Sequence, residues 1–286
     1  MLIGQEKVKK QIELITKNEF KPTLICGPSG YGKTTFASYI SESLNQEITV
    51  INCATKTNKQ EIIKDVLRVP KYSCVLLDEI HSLPNSYQEI VYSFLDKQSI
   101  VFNKLKLDVS TINFIGATTD EGSLLEPLLN RFVYKLRLDT YSDENLGEII
   151  YNYLDKYYNK DDCYALGKTA RGCPRVAIGR ANAYKISGSL NNFFEFWDVS
   201  PDGFEKPDYQ YLELLKNNYP KPVSLKTIEQ KLKMSSDSVV NNIESFLIHK
   251  NLILKSSKGR ELTEDGMQFM SIDNIDNYLN NDLSWL

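Results

Sequence analysis

The residues Gly27-Pro28-Ser29-Gly30-Tyr31-Gly32-Lys33-Thr34 fit G-x-x-x-x-G-K-[ST], the spacing of a phosphate-cradling loop. The glycines let the backbone turn so that successive N–H groups converge on an anion. Lys33 then reaches the β- and γ-phosphates of a nucleoside triphosphate, and the Thr34 hydroxyl is placed to hold Mg²⁺. Asp78 and Glu79 end a second apolar run, Cys74-Val75-Leu76-Leu77. Asp78 is expected on the metal side, and Glu79 is expected to orient water for in-line attack on the γ-phosphate. Without a phosphate loop, the same pair would read as an exposed helix cap. Thr118 and Thr119 close a third run, where a hydroxyl can bond the γ-phosphate or the water. Arg131 follows Pro127-Leu128-Leu129-Asn130 at a helix end, where it can meet a neighbouring subunit's nucleotide. Taken alone, it reads first as a surface salt-bridge arginine.

A parallel sheet must deliver these groups. Thr23-Leu24-Ile25-Cys26 predicts a buried strand before the loop, and Thr34 to Leu44 predicts a helix with Phe36, Ile40 and Leu44 on one face. That order aims a helix N-terminus, with its partial positive charge, at the phosphates. The strand ending at Asp78 is expected beside the phosphate-loop strand. Further strands are predicted over Thr111 to Thr119 and Val133 to Leu138. From Tyr141 to about Asn191 the spacing turns helical, as in Leu146, Ile149, Ile150, Tyr153 and Leu154. Arg171-Gly172-Cys173-Pro174-Arg175 interrupts it, with Gly172 capping one helix and Pro174 opening the next. Arg175 would sit in a first helical turn, against the helix dipole, which suggests an anion nearby such as an ATP phosphate. Phe193, Phe194, Phe196 and Trp197 read as packing aromatics rather than a base-stacking platform.

With 286 residues the chain is long for one core. At 42% hydrophobic and 25% charged it is expected to be globular. No apolar stretch approaches the roughly 20 residues of a membrane span, and Met1 to Glu6 has no signal-peptide character, so a cytoplasmic protein is expected. Cys26, Cys53, Cys74, Cys163 and Cys173 are odd in number and scattered, which reads as reduced core residues. The net charge of −3 hides an asymmetry. Residues 221–260 hold eight Lys/Arg against three acids, whereas 261–286 hold six acids and no Lys or Arg.

After a linker, Pro201 to Pro207, helices are predicted over Tyr209 to Tyr219, Ser224 to Leu232 and Ser236 to Lys250. Short strands, Leu252 to Lys255 and Glu261 to Thr263, flank a tip of Ser256-Ser257-Lys258-Gly259-Arg260. Three helices and a hairpin describe a winged helix. Lys255, Lys258 and Arg260 are its candidate DNA contacts, with Gly259 admitting close backbone approach. Winged helices also bind proteins; the local charge favours DNA.

In order along the chain, Ile3-Gly4-Gln5-Glu6-Lys7-Val8, Gly27 to Thr35, Asp78-Glu79-Ile80-His81, Ile115-Gly116-Ala117-Thr118-Thr119 and Arg171-Gly172-Cys173-Pro174-Arg175 resemble the motifs of the RuvB family of AAA+ Holliday-junction motors. The resemblance runs nearly end to end. It implies that Ile3 lies near the adenine, that Thr35 belongs to the nucleotide motif, and that Tyr141 lines the nucleotide pocket. It further implies that Arg131 is a finger acting in trans, that Arg175 is the lid sensor, and that Lys255 and Arg260 touch DNA. Three departures stand out. The chain begins directly at the Ile-Gly-Gln motif. The stretch between His81 and Thr111 is shorter than usual, and it is where the family carries the β-hairpin that grips RuvA, which puts a RuvA-like partner in doubt. Leu129 replaces an arginine usual in the family.

The expected architecture is α/β: an AAA+ P-loop αβα parallel-sheet domain (1–140), a helical lid (141–200) and a C-terminal winged helix with an acidic tail (201–286). The expected function is ATP hydrolysis with Mg²⁺ at the subunit interfaces of a ring, a hexamer as the resemblance implies, moving duplex or junction DNA. The other reading is a helicase- or clamp-loader-like switch that places a partner protein on DNA.

Overall fold

A computed structural model describes residues 2–97, 99–102 and 105–271, with side chains left out of the description over 97–107. By compactness the chain divides into two units: Met1–Ser142 with Cys173–Arg175, and Asp143–Gly172 with the chain from Val176 onward. The helical segment and the winged helix therefore fall in one compact unit.

The first unit runs α1 (Glu6–Thr16), β1 (Thr23–Cys26), α2 (Lys33–Ser43), β2 (Ile48–Asn52), α3 (Lys59–Leu67), β3 (Cys74–Asp78), α4 (Asn85–Lys97), β4 (Ser99–Phe102), β5 (Leu105–Asp108), β6 (Asn113–Thr118), α5 (Glu126–Leu129) and β7 (Tyr134–Arg137). Five strands form a parallel sheet in the order β2-β3-β6-β1-β7. Successive residues alternate between its two cores. Leu24, Val75, Leu77 and Phe114 pack with residues of α3, α4 and α5. Ile25, Cys74, Leu76, Ile115 and Ala117 pack with Val8 and Ile12 of α1 and Phe36 and Ile40 of α2. Helices cover both faces, which is why the strands read as continuous apolar runs rather than alternating ones. All five cysteines are free thiols, and four are buried; burial pushes the Cys26 thiol up to about 11.

Two expectations are corrected here. The Asp78 strand is not the neighbour of the phosphate-loop strand: β6 lies between them, with Ile115 opposite both Thr23 and Leu76. Strand order is set by crossover connections that local sequence does not encode. Second, the shortened stretch keeps a hairpin. β4 and β5 pair antiparallel from Ser99↔Asp108 to Phe102↔Leu105, because two four-residue strands need little chain.

The second unit contains α6 (Asp143–Tyr153), α7 (Lys160–Lys168), most of α8 (Pro174–Ser187), α9 (Leu190–Trp197), α10 (Lys206–Asn218), α11 (Leu225–Leu232), α12 (Ser236–Ser238), a π-helical stretch (Val239–Glu244), α13 (Ser245–His249), β8 (Ile253–Ser256), β9 (Gly259–Leu262) and α14 (Glu264–Phe269). Tyr211, Leu212, Leu215, Ile228, Ile243, Leu247 and Leu262 share the winged-helix core. Of the aromatic cluster, Phe193 and Phe194 are buried, whereas Phe196 and Trp197 stay 65% and 47% exposed. The expected linker is not a free segment. Val199 bridges to Glu205, the Ser200 N–H donates to the Phe204 carbonyl, Phe204 is buried, and Lys206 and Pro207 already form the first turn of α10. Turn residues predict a linker there, but a reciprocal cap between Glu205 and Asp208 fixes the helix start. The wing tip is also tighter than expected: only Ser257 and Lys258 lie between β8 and β9. Asp273, Asp276 and Asp282 of the expected acidic tail lie outside the described residues.

Candidate nucleotide site and candidate DNA-binding wing

The phosphate loop leaves β1 and enters α2 as the motif requires. Gly30 and Gly32 hold φ of +83° and +91°, in the left-handed region. Gly30 is demanded by space as well, since a Cβ there would lie 2.8 Å from both Cys173 Sγ and Arg175 Cβ. Gly27 sits where the chain leaves β1, its N–H donating to the Thr118 carbonyl at 3.2 Å. Lys33 is 6% exposed, and its ammonium donates to the carbonyls of Gly27 (3.0 Å) and Pro28 (3.3 Å). Burial pulls its pKa below the ordinary lysine value, opposed by Glu79 and Asp78. A cation short of solvent gains most from an incoming anion. Thr34 and Thr35 open α2 with exposed side chains.

Glu79 takes the left-handed conformation (φ +50°), uncommon for a residue with a Cβ. Its Oε1 lies 3.9 Å from Lys33 Nζ, and its Oε2 accepts from Thr119 Oγ1 at 3.5 Å. Asp78 caps the adjoining peptide, its Oδ1 accepting from the Glu79 N–H at 3.1 Å. The interposed β6 thus brings Thr119 between the loop and the carboxylates.

Thr118 does not share that role. It is fully buried, and its hydroxyl is spent on the Asp120 backbone, donating to O at 2.9 Å and accepting from N at 3.0 Å. As the last residue of a buried strand it turns inward, and only its neighbour faces out. Thr118→Val is therefore expected to cost about 0.5–1.5 kcal/mol of stability in urea unfolding by removing two part-buried hydrogen bonds to the Asp120 backbone. Thr119→Val should leave the unfolding midpoint alone and slow ATP turnover.

His81 is a participant that motif reading quoted without giving it a role. Its Nδ1 lies 3.4 Å from Glu79 Oε2 and 3.2 Å from Thr118 Oγ1, and its Nε2 lies 3.3 Å from Thr119 Oγ1. One of only two histidines, two residues after Glu79, is the signal that could have found it.

Tyr141 is buried beside the loop, its hydroxyl donating to the Tyr31 carbonyl at 3.2 Å, with burial pushing its pKa up to about 12. Arg175 closes the other side: its N–H donates to the Gly30 carbonyl (3.2 Å) and its Nη1 to Ser29 Oγ (2.9 Å). Ile3 is half-buried, two residues before Gln5, whose side-chain amide bonds the Asp139 backbone in both directions. Arg131 stands apart from this cluster. Its Nε lies 2.9 Å from Asp96 Oδ1 of α4, each side chain 39% exposed, although the N–H is not aimed along a hydrogen bond.

In the wing, Lys258 is exposed in the turn and Lys255 is about half-exposed, 3.7 Å from Glu244 Oε2. Arg260 requires correction as a DNA contact. It is 8% exposed and grips Glu244 twice, Nε to Oε1 at 2.7 Å and Nη2 to Oε2 at 3.2 Å, with Tyr211 donating to the same carboxylate. An arginine on an inward-facing strand position must be paired, and the acid that pairs it lies sixteen residues away, invisible to local reading. Gly259 likewise serves packing: at φ +144° a Cβ would meet the Val223 carbonyl at 2.7 Å. Once Arg260 and Glu244 cancel, seven exposed lysines still face two acids across residues 221–260. Arg260→Ala is expected to destabilise by about 3–5 kcal/mol, because it strands a buried carboxylate. Lys255→Ala with Lys258→Ala should keep the fold and flatten the salt dependence of DNA binding by roughly two log units of slope. Filter or anisotropy binding at several salt concentrations reads the second effect.

The RuvB C-terminal winged helix domain matches residues 201–271, and the Holliday junction DNA helicase RuvB P-loop domain matches residues 1–138. This chain belongs to the RuvB family. It is 27% identical to the Holliday junction branch migration complex subunit RuvB of Mycoplasma genitalium, over 94% of each chain. It is 28% identical to the protein of that name from Campylobacter lari, over 90% of this chain and 85% of the relative. Among solved structures, the Thermotoga maritima RuvB Holliday junction branch migration motor superposes with a TM-score of 0.81 at 25% identity, covering 95% of this chain and 96% of the other. Membership in the RuvB family makes the chain an ATPase. Among the described residues, no helix is long and apolar enough to cross a membrane.

Proposed function

We propose that this RuvB-family ATPase is a branch migration motor that couples ATP hydrolysis to movement of duplex DNA at four-way junctions. The observation that carries the reading is the union, in one chain, of the Lys33–Glu79–Thr119 cluster with a RuvB winged helix that exposes an excess of lysines. Lys33 would exchange its two carbonyl partners for phosphate oxygens. Glu79, held by Thr119 and beside His81, would take a proton from water aligned with the γ-phosphate. Thr34 and Asp78 are the groups that would hold Mg²⁺, which in such sites keeps one or two protein ligands beside the phosphates. Their hard oxygen donors fit that ion. When bound, it neutralises charge on the β- and γ-oxygens.

Tyr141, Ile3, Thr35 and Arg175 complete the nucleotide pocket, and Arg131 reaches the nucleotide of an adjoining copy in a ring. That ring, the cytoplasmic setting and the DNA partner belong to this reading. So does a RuvA-like partner, which the β4–β5 hairpin again makes reasonable. Purified protein with ATP and Mg²⁺ should hydrolyse ATP faster when a synthetic four-way junction is present, and should convert that junction to duplex products. Turnover indifferent to DNA, with intact junctions, would favour a loader-like switch instead.

A further inference from the structure

Arg171 ends the lid's second helix region in a left-handed conformation (φ +54°), and its side chain is 11% exposed. Every part of its guanidinium is engaged by the winged-helix half of the same compact unit. Nε donates to the Gly203 carbonyl at 2.9 Å and Nη1 to the Asn242 carbonyl at 2.9 Å. Nη2 and Nη1 fork onto Asp208, at 2.5 and 3.4 Å, and the plane stacks 4.5 Å from the Phe246 ring centre. Asp208 is fully buried at the start of α10, so its carboxyl is pushed up to about 6 by burial, with Arg171 opposing. Arg180 of α8 adds a second tie, bonding Glu205. Only a planar fork fits this set of carboxylate, two carbonyls and a ring face; a lysine does not. Four residues further on, Arg175 belongs to the other compact unit, where it is bonded to the phosphate loop.

We propose that Arg171 is a positioning residue that welds the lid to the winged helix, so that displacement of Arg175 by nucleotide is passed to the DNA-binding wing without slack. The proposal rests on the motor reading for its biological use, but the weld itself is testable apart from it. Segment 201–207, the obvious hinge by composition, is then not where the molecule flexes.

Spin labels carried by unnatural amino acids at the exposed positions Tyr157 and Leu254 report the lid-to-wing distance. In the otherwise unaltered protein we expect one narrow distribution that is the same without nucleotide, with ADP and with a non-hydrolysable ATP analogue. Arg171→Met and Arg171→Lys should both broaden it, while affinity for the analogue stays unchanged. A distribution that shifts with nucleotide in the parent protein overturns the proposal, even if the variants fail to fold. So does an unbroadened distribution in a folded variant. In a coupled assay the folded variants should hydrolyse ATP at the parent's basal rate yet move junctions less per ATP, by roughly threefold to thirtyfold. A parent that shows the rigid distance but moves no DNA removes the motor reading and leaves the weld standing.

Discussion

Replacing Glu79 with glutamine is expected to lower ATP turnover by roughly 10²–10⁴-fold while nucleotide affinity persists. That loss corresponds to about 3–5 kcal/mol of barrier. Glutamine keeps the shape and the Thr119 contact but cannot accept a proton from water. Affinity should survive because Lys33, the glycine turns and the α2 N-terminus are untouched. A competing role exists on geometric grounds: Glu79 lies 3.9 Å from Lys33 and could merely balance that charge before nucleotide arrives. In that case the variant would bind nucleotide more tightly and turn it over normally. Single-turnover hydrolysis alongside a fluorescent-nucleotide titration separates the two, and normal turnover removes Glu79 from the chemistry.

The second large effect concerns Arg131. Its replacement by alanine should reduce turnover of the assembled protein by roughly 10³–10⁵-fold, the range for loss of an arginine that stabilises a phosphoryl-transfer transition state. Among the described residues Arg131 pairs with Asp96, and half-exposed pairs of this kind contribute about 0–1 kcal/mol. Asp96→Ala should therefore leave both stability and turnover nearly intact. Mixing Arg131→Ala subunits with Lys33→Ala subunits is the decisive measurement. A junction between an intact loop from the first and an intact arginine from the second is complete, so activity should reappear on mixing. Two inactive preparations that stay inactive together would confine Arg131 to its structural pair.

Much of the site was legible because its residues are close in sequence or end recognisable strands. The phosphate loop joins a strand to a helix, Asp78 ends a strand and Arg175 opens a helix, as read from sequence, since these are local events; that β6 separates the Asp78 strand from the loop strand is not local. Side-chain partners are not local. Arg260 and Lys258 are both cations at a wing, yet one is buried on Glu244 and the other exposed. Thr118 and Thr119 are the same residue type in succession, and strand alternation alone sends one hydroxyl inward to Asp120 and the other toward Glu79.

From its own letters the chain determined the αβα class, the order of its motifs, the positions where only glycine fits the phosphate turn, and the family to which it belongs. Tertiary structure alone decided that β6 divides β1 from β3, that a short segment still folds into the β4–β5 hairpin, and that the Pro-Gly stretch after the lid is tied down. It also decided which arginines are free to meet a ligand. The physical reason is the same each time: backbone conformation follows from neighbours along the chain, whereas burial and charge pairing follow from neighbours in space.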